Sequence, residues 1–298
     1  MQIFNSQKSV LKLSDGLDFQ GFSFGYTGPC EGEVIFSTSV FGCPENLSDP
    51  AYEGKILCLS YPIIGTYGAP SEIVTDGISD TYQSGKPHIR GLIVLDYSSD
   101  FSHWGSNKSL DSWLKEWKIP GIYGIDTRFL SKHLRDNGTM LGQIIPDGCK
   151  ENAKVANPEL ENLVAKVSCT EPRTYGKGGK KVALIDCGVC DSTLRLLLAH
   201  NLEITRVPWN YSGDLSGFDG IVISSGPGNP ALCKETVAIV KKALEGNKPV
   251  WGFALGANIV ELAAGAKVYK MKFGHHTANQ PVRLADSDTC LITSQNQN

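Results

Sequence analysis

Apolar positions in the first half of the chain fall into short runs broken by glycine and proline. Residues 9–13, 33–39, 55–60 and 91–95 read as strands, with turns at Tyr61-Pro62 and Gly68-Ala69-Pro70. Two stretches carry helical spacing instead. In 109–117, Leu110, Trp113, Leu114 and Trp117 fall on one face, and Ser109 stands where an N-cap belongs. The second is 126–137, stopped by Gly138. After the Gly- and Lys-rich stretch 174–180, the pattern becomes alternating strand and helix. Strands are expected at 181–185, 204–207, 220–224 and 249–253, and helices at 191–200, 234–245 and 257–264. The later strands are almost wholly apolar, as parallel strands covered on both faces are. The fold expected is therefore α/β in two domains: a β-rich α+β unit over 1–175, then a mostly parallel sheet flanked by helices over 180–298.

Composition narrows the class. The 298 residues are 41% hydrophobic and 20% charged, with a net charge of −3, so no surface for nucleic acid or membrane is expected. No apolar run approaches the ~18 residues of a membrane span. The first residues resemble neither a signal nor a transit peptide. Nine dispersed cysteines fit free thiols in a reducing compartment, so a cytoplasmic location is expected.

The candidate chemistry lies at two loops that follow strands, on the carboxyl edge of the expected sheet. In NKPVWGFALGANIVELAAG (247–265) a short apolar run meets a small-residue turn and passes directly into a helix. Such a junction holds a Ser or Cys nucleophile on a strained turn beside helix N-terminal amides. The apex residue is Ala254, whose methyl group cannot attack a carbonyl. The second loop, Ser225-Gly226-Pro227-Gly228-Asn229-Pro230, is glycine-rich around a rigid proline and lets backbone amides approach a ligand. Alone it reads as a turn; paired with the elbow it reads as a site.

SSGPGNP, GFALGAN, AKVYKMKFGHHTANQPV and TSQNQN resemble the class I glutamine amidotransferase domain of carbamoyl-phosphate synthetase small subunits. In the first half, GEVIFSTSVFGCPENLSDPAYEGKILCLSYPIIGTYGAP and IPGIYGIDTRFLSKHLRDNGTMLGQI resemble that subunit's own N-terminal domain. The resemblance runs from about Val10 to Asn298. It implies glutamine hydrolysis by a Cys-His-Glu set, with ammonia passed to a large synthetase subunit for arginine or pyrimidine synthesis, and no cofactor or metal. It also implies glutamine-binding positions at Ser39, Gly226, Gly228, Leu255, Asn258 and Asn296.

The departures from that family matter more. Ala254 replaces its cysteine, Ala257 and Asn258 replace a His-Gln pair, Asn229 an Asp, and Gln297-Asn298 a His-Gly pair. The family's catalytic His and Glu positions fall beyond Asn298, and 119 residues from Lys180 are few for such a domain. A truncated or incomplete amidotransferase unit is therefore expected, leaving apolar surface near 289–294 uncovered. The expectation is a homologue without glutaminase activity that binds the large subunit. A working glutaminase with a different nucleophile and a glutamine-binding sensor remain as alternatives.

The other conspicuous residues receive plainer readings. Cys187 and Cys190 form a CxxC without the second half of a zinc site, and read as ordinary thiols. Cys233, near the Gly-Pro-Gly loop, opens a helix and is not expected to substitute for the missing nucleophile. His275 and His276, adjacent on a strand, point to opposite faces and do not share one site. Asp126 is expected to cap a helix rather than pair with Arg128. Trp104, Trp113 and Trp117 are expected in the core, an exposed one marking a partner face.

Overall fold

The computed structural model describes residues 7–40 and 42–297; Asn298, one of the family departures, lies outside them. The N-terminal half is built on a closed barrel. Its strands run in the order Lys8–Leu13, Met140–Pro146, Cys30–Ser37, Lys55–Leu59, Gly91–Ile93, Pro120–Tyr123 and Asp18–Gly25, the last returning to the first. Cys30–Ser37, Lys55–Leu59, Gly91–Ile93 and Pro120–Tyr123 are mutually parallel. Their continuous apolar runs follow from burial on both faces. Val34, Ile56, Ile93 and Ile122 pack with Leu130 and Leu134 of helix Thr127–Asn137. Ile35, Leu57 and Leu92 pack with Trp113 and Leu114 of helix Leu110–Glu116. Both helices are capped as their sequences dictate: Ser109 accepts from the Ser112 amide and Asp126 from the Phe129 amide.

The C-terminal half holds a five-stranded sheet in the order Arg173–Tyr175, Leu202–Pro208, Lys180–Asp186, Gly220–Ile223, Val250–Gly252. The last four are parallel to one another, and Arg173–Tyr175 runs antiparallel at one edge. Alternation along the central strand distributes its side chains between two helical layers. Val182 and Leu184 meet Leu194 and Leu197 of helix Asp191–Ala199. Ala183 and Ile185 meet Val240 of helix Lys234–Glu245 and Ile259 of helix Leu255–Ala263. Beyond the sheet, His275–Arg283 and Cys290–Gln297 form an antiparallel ribbon that leaves Leu291 and Ile292 exposed.

Two sequence readings need correction. Of the three tryptophans placed in the core, only Trp113 is there. Trp104 is 93% exposed on a loop and Trp117, at the end of its helix, is 44% exposed. The stretch 174–180 also begins as strand, because Thr174 and Tyr175 pair with Thr205 and Ile204 before the glycines turn the chain. Among the described residues no helix is long and apolar enough to cross a membrane.

Candidate active site

Strand Val250–Gly252 and helix Leu255–Ala263 meet at Ala254, which has φ 47° and ψ −111°. Only glycine, which has no Cβ, enters that region freely, so this strand-to-helix turn has the strained geometry of a nucleophile elbow with a methyl group at its apex. The flanking glycines make the turn feasible. A Cβ on Gly252 would lie 2.4 Å from the Gly256 carbonyl carbon, and one on Gly256 would lie 2.3 Å from the Ile223 carbonyl oxygen. The elbow is thus pressed against the end of strand Gly220–Ile223, where the Phe253 amide also donates to Ile223 at 3.0 Å. The Gly-Pro-Gly loop leaves that same strand. Gly226 approaches so closely that an added Cβ would meet the Cys187 carbonyl oxygen at 2.0 Å.

Together these loops wall a cavity of about 220 Å³ at the boundary between the two halves. Gly226, Gly228, Leu255, Asn258 and Asn296 all line it, with Ala51 and Lys55 from the N-terminal half and Lys270 and His276 from the segment before and within the ribbon. Five of the six residues singled out as binding positions are therefore brought together. Ser39 is not among the lining residues. It follows strand Cys30–Ser37, its amide donating to Ser37 Oγ at 3.2 Å, while neighbouring Thr38 donates to Thr277 Oγ1 at 2.7 Å. Ala254 and Ala257 also stand outside the lining set, although Leu255 and Asn258 beside them belong to it.

Most polar side chains of the wall are already hydrogen-bonded. Asn296 donates from Nδ2 to Asp49 Oδ2 at 2.7 Å, and its Oδ1 lies 2.6 Å from His276 Nδ1. With the amide hydrogens turned toward Asp49, the histidine nitrogen must be the donor in the second contact. Asn229 accepts from the Ala231 amide at 2.9 Å, a capping task that an aspartate would perform equally. The Asn258 side chain has no hydrogen-bond partner among the described residues and borders the cavity half-buried.

Charge at the boundary centres on Glu33, buried on its barrel strand. It accepts from Lys55 Nζ at 2.8 Å and Thr139 Oγ1 at 2.7 Å, and Lys270 reaches it from the other half. Burial alone would raise its pKa, but the Lys55 and Lys270 ammonium groups outweigh that and hold the carboxyl down at about 2. Lys270 also lies 3.3 Å from Glu159. Sequence reasoning overlooked Glu33, Lys55 and Asp49. Each appears as a lone charge in a strand or loop, and only the closed barrel reveals where it points.

None of the cysteines described below is poised as a replacement nucleophile. Cys187 is fully buried, and burial, followed by neighbouring Cys233, pushes its thiol well up. Cys190 is raised likewise by burial and by Asp49, whose Oδ1 its sulfur reaches at 3.4 Å. Burial takes Cys233 up to about 12. His275 and His276 face opposite ways, bonding Gln295 and Asn296 respectively. Among the described residues no three His, Cys, Asp or Glu side chains gather as metal ligands would.

Comparison with known proteins agrees with this geometry. Residues 11–144 match the family model for the carbamoyl-phosphate synthase small chain CPSase domain, and residues 183–298 match class I glutamine amidotransferase. Human mitochondrial carbamoyl-phosphate synthase [ammonia] is 43% identical over 98% of this chain, which spans 20% of that protein. The multifunctional protein CAD of Squalus acanthias is 43% identical over 97% of this chain and 13% of its own length. The multifunctional protein URA2 of Saccharomyces cerevisiae is 36% identical over 96% of this chain and 14% of its own length. The chain thus spans a fifth or less of these relatives. A solved aminopeptidase from Aneurinibacillus sp. strain AM-1 overlaps it at a TM-score of 0.27 and 11% identity, covering 88% of this chain and 71% of its own, too loosely to bear on the fold. The barrel half, the elbow and the two matched models converge: the chain belongs to the carbamoyl-phosphate synthase small-chain family and carries that family's CPSase domain followed by a class I glutamine amidotransferase domain.

Proposed function

We propose that this chain is a small-chain homologue that does not hydrolyse glutamine and that acts by binding a large synthetase subunit, with ammonia reaching the synthetase by another route. The observation that carries this reading is Ala254. The strained elbow, its flanking glycines and the Gly-Pro-Gly loop are all retained, and the one atom that would form the acyl intermediate is not there. An oxyanion hole without its nucleophile leaves only residual rate effects, orders of magnitude below turnover. The buried thiols near the site do not compensate, because burial opposes thiolate formation at Cys187, Cys190 and Cys233. Relatives from human, mouse and rat are named carbamoyl-phosphate synthase [ammonia], which supports a source of nitrogen other than glutamine.

The reading divides the chain near 175–180 into a docking half and a former glutaminase half. Reconstitution with a large subunit tests it. The mixed proteins should co-purify under native conditions and make carbamoyl phosphate from ammonium but not from glutamine. Glutamine-supported synthesis, or no association, would contradict it.

A further inference from the structure

The long connection between strands Lys55–Leu59 and Gly91–Ile93 sends a small hairpin out of the barrel half. Val74 and Thr75 pair with Ser79 and Ile78, and between them stand Asp76 and Gly77, at φ 53° and 78°. Asp-Gly with both φ values positive is the turn that a two-residue hairpin requires, so the shape is set locally. The Asp80 amide donates to the Ile73 carbonyl at 2.7 Å, and Thr75 Oγ1 donates to Asp80 Oδ2 at 2.6 Å. The hairpin is thus a pre-shaped arm.

Its contacts lie on the second half. Ile78 is buried among Tyr175, Val182, Leu184, Leu194 and Leu197. At the tip, Arg173 Nη2 donates to the Asp76 carbonyl at 3.1 Å. Helix Asp191–Ala199 receives no side-chain cap from Cys190, which stands at its N-cap. The barrel half supplies the missing partners. The Asp191 amide donates to the Gln83 carbonyl at 2.7 Å, and Ser192 Oγ donates to Gln83 Oε1 at 2.5 Å. Asp191 Oδ2 accepts from the Ser79 amide at 2.7 Å, and Arg195 donates to the Ser79 carbonyl.

The dependence runs one way. Among the described residues, the two buried clusters of the barrel draw only on 11–144, whereas the second half's cluster includes Ile78. We infer that residues 73–83 form an intramolecular clasp on which the second half relies for a complete core and a capped helix, while the barrel's own cores are complete without it. The clasped cluster also holds Val189, next to Gly188, where an added Cβ would lie 3.1 Å from the Gly226 Cα. Releasing the clasp therefore loosens the loop behind the candidate site before it disturbs the barrel.

Hydrogen exchange of the full chain, read by mass spectrometry, tests this. Ile78→Ala should speed exchange in Lys180–Asp186 and Asp191–Ala199 by about 30-fold or more, the scale of an emptied isoleucine site. Strands Gly91–Ile93 and Pro120–Tyr123 should exchange as in the wild type. Ile78→Val, which keeps most of the volume, should act on the same segments by about two- to ten-fold, so the series reports even if the alanine variant fails to fold. Val74→Ala, at an exposed position of the same hairpin, should leave both halves unchanged. Equal acceleration in both halves, no change with either Ile78 variant, or an equal effect of Val74→Ala would overturn the inference.

Discussion

Lys270, in the segment leading to the terminal ribbon, reaches across the domain boundary to the buried carboxylate of Glu33 on the barrel. Lys55 meets the same carboxylate from the adjacent barrel strand at 2.8 Å, with both of that pair's side chains almost wholly enclosed. The contact therefore fastens the cavity wall to the N-terminal fold. Removing the acid would leave the buried Lys55 ammonium without its carboxylate and Lys270 with Glu159 alone, so Glu33→Ala should cost about 3–5 kcal/mol. Denaturant unfolding of the variant measures this directly.

The same carboxylate gives a pH dependence whose sign is fixed. Its folded pKa, about 2, lies below the ordinary 4.5. Its contribution is therefore complete above about pH 4.5 and is lost as pH falls toward 2. The wild-type chain should lose up to about 3 kcal/mol through this group over that window. In Glu33→Gln the corresponding part of the acid slope should disappear.

Ala254 holds a strained backbone conformation, with φ 47° and ψ −111°. Ala254→Gly should relieve that strain and stabilise the chain by about 1 kcal/mol, raising Tm by roughly 2 °C. Ala254→Val should do the opposite, since a β-branched residue tolerates positive φ less well. Thermal scans of the three proteins compare them.

Gly256 carries the docking of the elbow on the sheet. Its added Cβ would lie 2.3 Å from the Ile223 carbonyl oxygen and 2.7 Å from that of Ser224, both rigid backbone. Gly256→Ala should cost about 2 kcal/mol or more. Equal stability of mutant and wild type would show that the elbow does not press on strand Gly220–Ile223.

A thiol placed at the apex should be far more reactive than the buried natural ones. Burial holds Cys30, Cys43, Cys58, Cys169 and Cys233 up at about 12, whereas a helix N-terminus lowers a thiol's pKa. Ala254→Cys should thus add one fast-alkylating site at neutral pH, located by peptide mapping. A slow thiol at 254 would mean that the elbow no longer presents its apex to the helix amides.

Much of this was legible in the chain because local chemistry and tertiary structure agree. Ser109 and Asp126 cap the helices their sequences announce, and the alternation of 182–185 between two helical layers follows from strand geometry. The closed barrel was not legible. Its strand Asp18–Gly25 is interrupted by Gly21, Ser23 and Gly25, and Gly21 is required by close approach: an added Cβ would sit 2.4 Å from the Tyr123 carbonyl oxygen. Such spacing weakens any periodic signal. At the site, the motif glycines and Ala254 were readable. The roles of Asp49, Glu33 and Lys55 depend on contacts across more than 20 residues of sequence and emerge only from the fold.

The central claim is tested most directly by incubating the purified chain with amide-labelled L-glutamine and measuring labelled ammonia over hours, with intact-mass analysis of the protein. The account predicts ammonia at the rate of the protein-free control and an unmodified mass. Ammonia above that background, or a γ-glutamyl adduct on any residue of the chain, would contradict it.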